Sequence, residues 1–447
     1  MKKFRHYALL LFAVMAVCSC SKDDNDRVKV EKVELAPTTL DLIVGEEMTL
    51  TVTVIPSEAN QNVTWSSSNP QIATIGSDGT VTGVAQGETT ITVTTEDGGL
   101  TATCKVTVTE ESKGYAWYLA GKESGNYEIS TLEELKQFGL LVNGDKTALT
   151  FNSESAAVTF SGKTVTLKND INLNNEEWIP IGTIYKPFKG TFDGNGKVIS
   201  GLKVSNANIQ YVGFFGYIKE AAIKKLEVSD GTVSGGDLAG GSNAGGVIGY
   251  SSNSTIENCS SSATISGQVA GGVVGWAALS NIIACHATSN VTAMQSAVTV
   301  AAGGVVGGLS ISGNIQACYY TSGTVTGGNE TGDYYCATGG VVGLAQSEVK
   351  TYNCYSTGTV VTGTGKNVQT GGVIGFASYG NDYGSLLYIT GKGASRGIGE
   401  KSTDDASKVK SIASESELSA NISFLNTGLP GEVGYQFKAD GTLEKVQ

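Results

Sequence analysis

Side chains able to do chemistry are few and unevenly placed in this 447-residue chain. Its histidines are His6 and His286, so the His-Glu-x-x-His arrangement of a zinc peptidase cannot form. Cleaving a polysaccharide needs a basic residue for elimination, or two carboxylates about 5 to 9.5 Å apart for hydrolysis. Between Leu226 and Val349 there is no Lys or Arg, and the acids are Glu227, Asp230, Asp237, Glu257, Glu330, Asp333 and Glu348. The central stretch is poorly equipped for catalysis, and no catalytic residue, metal or other cofactor is expected there. A polysaccharide lyase or glycoside hydrolase with active residues nearer the ends stands as the alternative to a binding protein. The same stretch does hold flat, amphipathic rings of the kind that stack on sugars: His286, Tyr319 and Tyr355, each one residue after a cysteine, and the pair Tyr334 and Tyr335.

Two further motifs lack the setting their chemistry requires. Gly393-Ala394-Ser395-Arg396-Gly397-Ile398-Gly399 contains Gly-x-Ser-x-Gly and is similar to a dinucleotide loop, but both uses need a strand leading into an amphipathic helix of an α/β sheet. Glu400 to Asp405 supplies no such helix. Asp193-Gly194-Asn195-Gly196 begins like a calcium loop without the later acidic ligand, and reads as a tight turn.

The candidate groups are positioned by a repeat. One phrase returns six times, as Gly213-Phe214-Phe215-Gly216-Tyr217, then GGVIGY from Gly245, GGVVGW from Gly271, GGVVGG from Gly303, GGVVGL from Gly339 and GGVIGF from Gly371. An apolar slot follows each of the first five, filled by Leu226, Cys259, Cys285, Cys318 and Cys354, and then a β-branched residue, Val233, Ile265, Val291, Val325 or Val360. A recurring unit of three strand-like pieces without a helix signature denotes stacked coils. Each strand pairs with its counterparts about 4.8 Å above and below. The result is a parallel β-helix, right-handed by the general bias of parallel crossovers.

This geometry makes finer predictions. The cysteines read as buried thiols acting as small hydrophobes, because a column on neighbouring strands does not offer zinc its tetrahedral pairs; disulfides between coils stay open, and Cys336 has no place in the column. The spacing of three from Ile256 to Cys259, Ile282 to Cys285 and Ile315 to Cys318 requires a bend near Asn258, Ala284 and Ala317 to keep both side chains inside. The residues after the slot, Glu227, Ser260, His286, Tyr319 and Tyr355, then point outward as a strip open to a ligand. The longest insertions, 292–302, 326–338 and 361–370, fall at one corner, where repeat proteins often bind.

The N-terminal part reads as an address and a spacer. Residues 1–19 join the basic Met1-Lys2-Lys3-Phe4-Arg5 to an apolar run too short for a membrane span, as in a signal peptide. Val17-Cys18-Ser19-Cys20 resembles a bacterial lipobox, which implies lipidation of Cys20. The acidic tether, 20–27, is similar to the tag that sends some Gram-negative lipoproteins to the outer face of the outer membrane. Acyl chains contributing about 0.8 kcal/mol per buried CH₂ suffice for such anchoring. Residues 28–109 alternate in the manner of β-strands, and Thr64-Trp65-Ser66-Ser67-Ser68-Asn69-Pro70, Asp78-Gly79-Thr80-Val81-Thr82-Gly83 and Ile91-Thr92-Val93-Thr94 resemble the bacterial Ig-like domain, group 2. That resemblance implies a β-sandwich acting as spacer or adhesive module, with Trp65 in its core and Cys104 unpaired.

Residues 115–447 form the solenoid with its caps. Ser130-Thr131-Leu132-Glu133 reads as a capping box opening a helix to about Val142, which can plug the first coil, and 415–443 reads as the second cap. From Asp170 through Phe376 the phrases resemble the GLUG-motif family, whose members include adhesin-like surface lipoproteins and the N-terminal parts of IgA-cleaving peptidases. The expected fold is therefore all-β, an Ig-like sandwich followed by a right-handed parallel β-helix with short helical caps. The expected role is a lipid-anchored, surface-exposed binding module of the outer membrane, a monomer whose ligand is a glycan or glycoprotein. The net charge of -12 argues against nucleic acid. A purely structural surface protein is the third possibility.

Overall fold

The computed structural model describes residues 28–446 apart from 110–111, 152–153, 155, 297–298, 330, 332–333, 379, 400–404 and 430–433. The signal peptide, Cys20 and the acidic tether lie outside the described residues. Two compact units divide between Lys113 and Gly114.

In the first unit, a four-stranded sheet runs in the order Thr39–Ile43, Thr101–Thr109, Gly87–Thr95, Val63–Ser67, and a three-stranded one joins Glu47–Thr49, Thr80–Gly83 and Ala73–Ile75. Alternate residues turn inward, so Leu42, Ile91, Val93, Cys104 and Val106 of one sheet close a single core with Ala73 and Val81 of the other. Trp65 packs partly buried against that core, and Cys104 is a buried free thiol.

Three helices stand at the start of the second unit, α1 (Ser112–Ser124), whose first two residues precede the division, α2 (Leu132–Asn143) and α3 (Lys146–Phe151). The capping box of α2 sits one residue later than the sequence suggests: Thr131 Oγ1 accepts from the Glu134 amide at 3.2 Å, and the Glu134 carboxylate accepts from the Thr131 amide at 3.0 Å. Gly144, left-handed at φ 68°, ends the helix. This places the fully buried Leu135, Phe138 and Leu141 in the core at the start of the solenoid, where Phe138 stacks on Phe192 and meets Phe160 and Phe188 edge-on. Thr131→Ala removes one half of the box and is expected to lower stability by about 1 kcal/mol, measurable as a shift in the urea midpoint without a change in its slope.

The coils that follow pair in parallel throughout. The six phrases supply two faces of six strands each: a leading face from Tyr211–Val212 to Asn367–Gly371, and a trailing face from Phe215–Lys219 to Ile374–Ala377. The third face belongs to an 18-stranded sheet and is broken into as many as three pieces per coil, such as Asn281–Ile283, His286–Ala287 and Val291–Ala293. The sequence suggested three strands per coil; the break just ahead of the cysteine, at Asn258, Ala284 or Ala317, falls where the backbone turns left-handed. The phrase glycines sit where backbones nearly touch: a Cβ on Gly339 would lie 1.9 Å from the Val342 carbonyl oxygen and 2.5 Å from the Gly375 amide. Nothing larger fits there.

The bends required between the isoleucines and cysteines are present, with φ near +50° at Asn258, Ala284 and Ala317, and likewise at Lys225 and Asn353. They turn Leu226 and the four cysteines into the core, all free thiols. Cys336 also has a place, inside the leading face in register with Val300 and Val368. At the far end, two short 3₁₀ turns (Glu415–Glu417 and Ser419–Asn421), α4 (Ile422–Leu425) and the antiparallel strands Tyr435–Phe437 and Leu443–Lys445 form the second cap. This cap also runs back along the outside of the third face, and Tyr435 Oη donates to the Glu257 carboxylate at 2.8 Å.

Candidate functional site

The strip after the cysteine slot faces away from the core as expected, but at Tyr319 and Tyr355 it is not open. His286 stacks on Tyr319 at 4.7 Å and Tyr319 on Tyr355 at 5.1 Å, in each case within 3° of parallel. The second cap lies over this stack. Phe437 meets Tyr319 and Tyr355 edge-on, Leu418, Leu425 and Leu429 complete a separate apolar cluster, and Tyr355 Oη donates to the Gly441 carbonyl at 2.9 Å. Asn353 Nδ2 ties the same cap down by donating to the carbonyls of Leu425 and Thr427. Tyr319 and Tyr355 are only 8% and 2% exposed. Burial pushes the Tyr319 hydroxyl up to about 12, drives that of Tyr355 up further, and lowers His286 below the usual histidine range. Two tyrosines of one outward column therefore serve as the floor of a cap, with the half-buried His286 stacked beside them; the sequence could not reveal this because the covering residues come from far downstream in the chain.

Tyr334 and Tyr335 are exposed, as expected of their loop. Tyr335 stacks on Phe376 at 4.4 Å, and this contact leads to a column that the sequence reading passed over. The last residue of each phrase, Tyr217, Tyr250, Trp276, Gly308, Leu344 and Phe376 in register order, projects outward from the trailing face, while the residue after it, from Ile218 to Ala377, lies in the core or is buried. Tyr217 and Tyr250 stack at 5.0 Å and Tyr211 leans on both. Trp276 and Phe376 pack over a small patch of Val269, Ala301, Ala337 and Leu344. Tyr217, Tyr250, Trp276 and Phe376 keep part of their rings in solvent. The long insertions at 292–302, 326–338 and 361–370 lead directly into strands of the leading face and so border this column. The signal was available in the phrase itself: its first five positions hold Gly, Val, Ile or Phe, and its sixth varies among Tyr, Trp, Gly, Leu and Phe.

The column carries rings and no ionisable acid or base other than phenols. Among the described residues, no three His, Cys, Asp or Glu side chains converge to hold a metal.

The bacterial Ig-like domain (group 2) family matches residues 29–106, and the GLUG motif matches residues 240–266. The latter span covers one phrase, its cysteine and its β-branched residue, from Gly245 through Ile265. An alpha-L-arabinofuranosidase of Bifidobacterium longum subsp. longum is 53% identical over 70 residues, 15% of this chain and 7% of that protein. A lacto-N-biosidase of Bifidobacterium bifidum is 43% identical over 74 residues, 17% of this chain and 7% of its own length. An Ig-like virion protein of Serratia phage KSP90 is 45% identical over 83 residues, covering 18% of this chain and 32% of the phage protein. The similarity to the glycosidases is confined to the Ig-like region, and the chain spans less than a third of the length of each of these relatives. Among solved structures, an IgA1 protease aligns over 73% of this chain and 24% of its own, with a TM-score of 0.38 and 15% identity. With one match on the sandwich and the other on a coil whose phrase recurs along the solenoid, the chain carries an N-terminal bacterial Ig-like domain of group 2 and, within its solenoid, a GLUG motif.

Proposed function

We propose that this protein is a lipid-anchored protein of the outer membrane, displayed at the cell surface, whose solenoid binds a host or environmental glycan or glycoprotein without turning it over. The observation that carries this reading is the outward column of partly exposed rings on the trailing face. Such a surface offers stacking area and hydroxyl groups while supplying neither paired carboxylates nor a base. The lipobox-like Cys20 and the acidic tether after it support the anchor, and the sandwich fits a spacer between lipid and solenoid. Its similarity to segments of an arabinofuranosidase and a lacto-N-biosidase supports use of such a module in proteins that work on glycans.

The test applies the soluble Cys20→Ala protein to a glycan array and measures new reducing ends on every glycan bound. Binding without new ends is the expected result. New ends would make the protein a glycan-cleaving enzyme, and no binding at all would leave a structural role for the solenoid.

A further inference from the structure

We propose that Trp276 is the central contact of this site, and that its ligand is an uncharged, extended polysaccharide lying along the solenoid axis; the inference rests on the binding reading above and narrows it to one face and one ligand class. In the column, the one tryptophan is followed by the one glycine. A Cβ on Gly308 would stand 2.4 Å from Cε3 and 2.6 Å from Cζ3 of Trp276, so the indole lies down over the next coil instead of standing out from its own. Its Nε1 donates to Ser310 Oγ at 3.1 Å, on the same strand as Gly308, and this bond holds the ring in that pose. The indole packs against the small apolar patch of Val269 and Ala301 and remains partly exposed. A broad ring laid parallel to a sheet, with its polar edge already satisfied, presents a face to the C–H surface of a sugar and does not act as a hydrogen-bond donor.

The surroundings decide between charged and neutral ligands. Tyr217, Tyr250 and Tyr211 bring phenol hydroxyls to one side of Trp276, Phe376 and Tyr335 close the other, and the adjoining column of the leading face contributes the amides of Asn243 and Gln369. Neither column contains a charged residue, and the chain from Leu226 to Val349 contains no Lys or Arg. The nearest lysines stand at the two ends of the column, Lys219 two residues beyond Tyr217 on the same strand and Lys366 just ahead of the strand that holds Gln369, so a uronic acid or phosphate group over Trp276 would find no cation, whereas a neutral chain of sugar rings needs only apolar faces and hydroxyl partners. From Tyr217 to Phe376 the column makes five steps of about 4.8 Å, roughly 24 Å, a length suited to several sugars in a row.

Native gels cast with soluble xylan, mixed-linkage β-glucan or yeast mannan, with alginate as the charged comparison, test the inference. At least one neutral gel should retard the wild-type protein. Trp276→Ala should weaken that retardation by about tenfold or more. Gly308→Leu, which places at this position the side chain that Leu344 supplies one coil further on, should lift the indole and weaken retardation similarly while the melting temperature stays within a few degrees. Tyr185→Ala, which removes a ring that is 91% exposed and outside the column, should change nothing. If Trp276→Ala and Gly308→Leu both migrate like wild type in a gel that retards it, the column is not the site although the binding reading stands. Retardation by alginate alone would overturn the uncharged class, and retardation by none of the gels would overturn this inference, while the glycan array decides the broader binding reading separately.

Discussion

Cys285→Asp is expected to destabilise the solenoid by on the order of 3 kcal/mol or more, while Cys285→Val should cost less than about 1.5 kcal/mol. Cys285 is fully buried in the column between Cys259 and Cys318; its thiol meets the carbonyls of Ile283 and Ile256, at 3.4 and 3.6 Å, and the thiols of those two cysteines, and its amide faces the Cys318 sulfur. A carboxylate there finds no cation and few donors, so it must either be protonated or draw water into the coil. Valine loses a weak thiol contact and adds a methyl group, which a sheet interior tolerates. Urea unfolding of the two variants checks this, and equal midpoints would contradict the inward orientation of the whole slot.

Tyr355→Ala should cost about 3 to 5 kcal/mol, the usual range for deleting a large buried ring. The loss has three sources: the stack on Tyr319, the edge contact with Phe437, and the hydrogen bond to the Gly441 carbonyl. Tyr355→Phe keeps the first two and removes the third, so it should cost about 1 kcal/mol. Glycan binding on the trailing face should survive both substitutions at temperatures where the variants remain folded. Calorimetry beside the gel assay separates the outcomes: lost retardation by a folded Tyr355→Ala protein would return this tyrosine to a binding role.

What the sequence made legible was whatever repeats. The phrase, the cysteine slot and the β-branched position each recur once per coil, so their inward orientation and the bends at Asn258, Ala284 and Ala317 could be reasoned from spacing. The capping box was legible for a related reason, since its residues lie within one helical turn, and the error of a single position reflects two adjacent hydroxyl residues, Ser130 and Thr131. What failed was the exposure of Tyr319 and Tyr355. Outward direction is a local property set by the strand, whereas exposure depends on Leu425, Phe437 and Gly441, as far as 86 residues downstream for the Tyr355 contact. Cys336 was illegible because it belongs to the leading strand of its coil, where Val300 and Val368 occupy the same register and no other cysteine marks the column.

The bond between Tyr435 and Glu257 has a bearing on how the molecule comes apart. A stack of coils that touch only their neighbours unravels like a rope from its ends, each coil opening at little more than its own cost. Here the chain's final segment reaches back past the coils of Tyr355 and Tyr319 to the coil of Glu257, in the manner of a seam sewn along the side of the stack. Peeling the last coil first requires unpicking that seam, so terminal fraying is coupled to coils well inside the array, and the far end shares the stability of the middle.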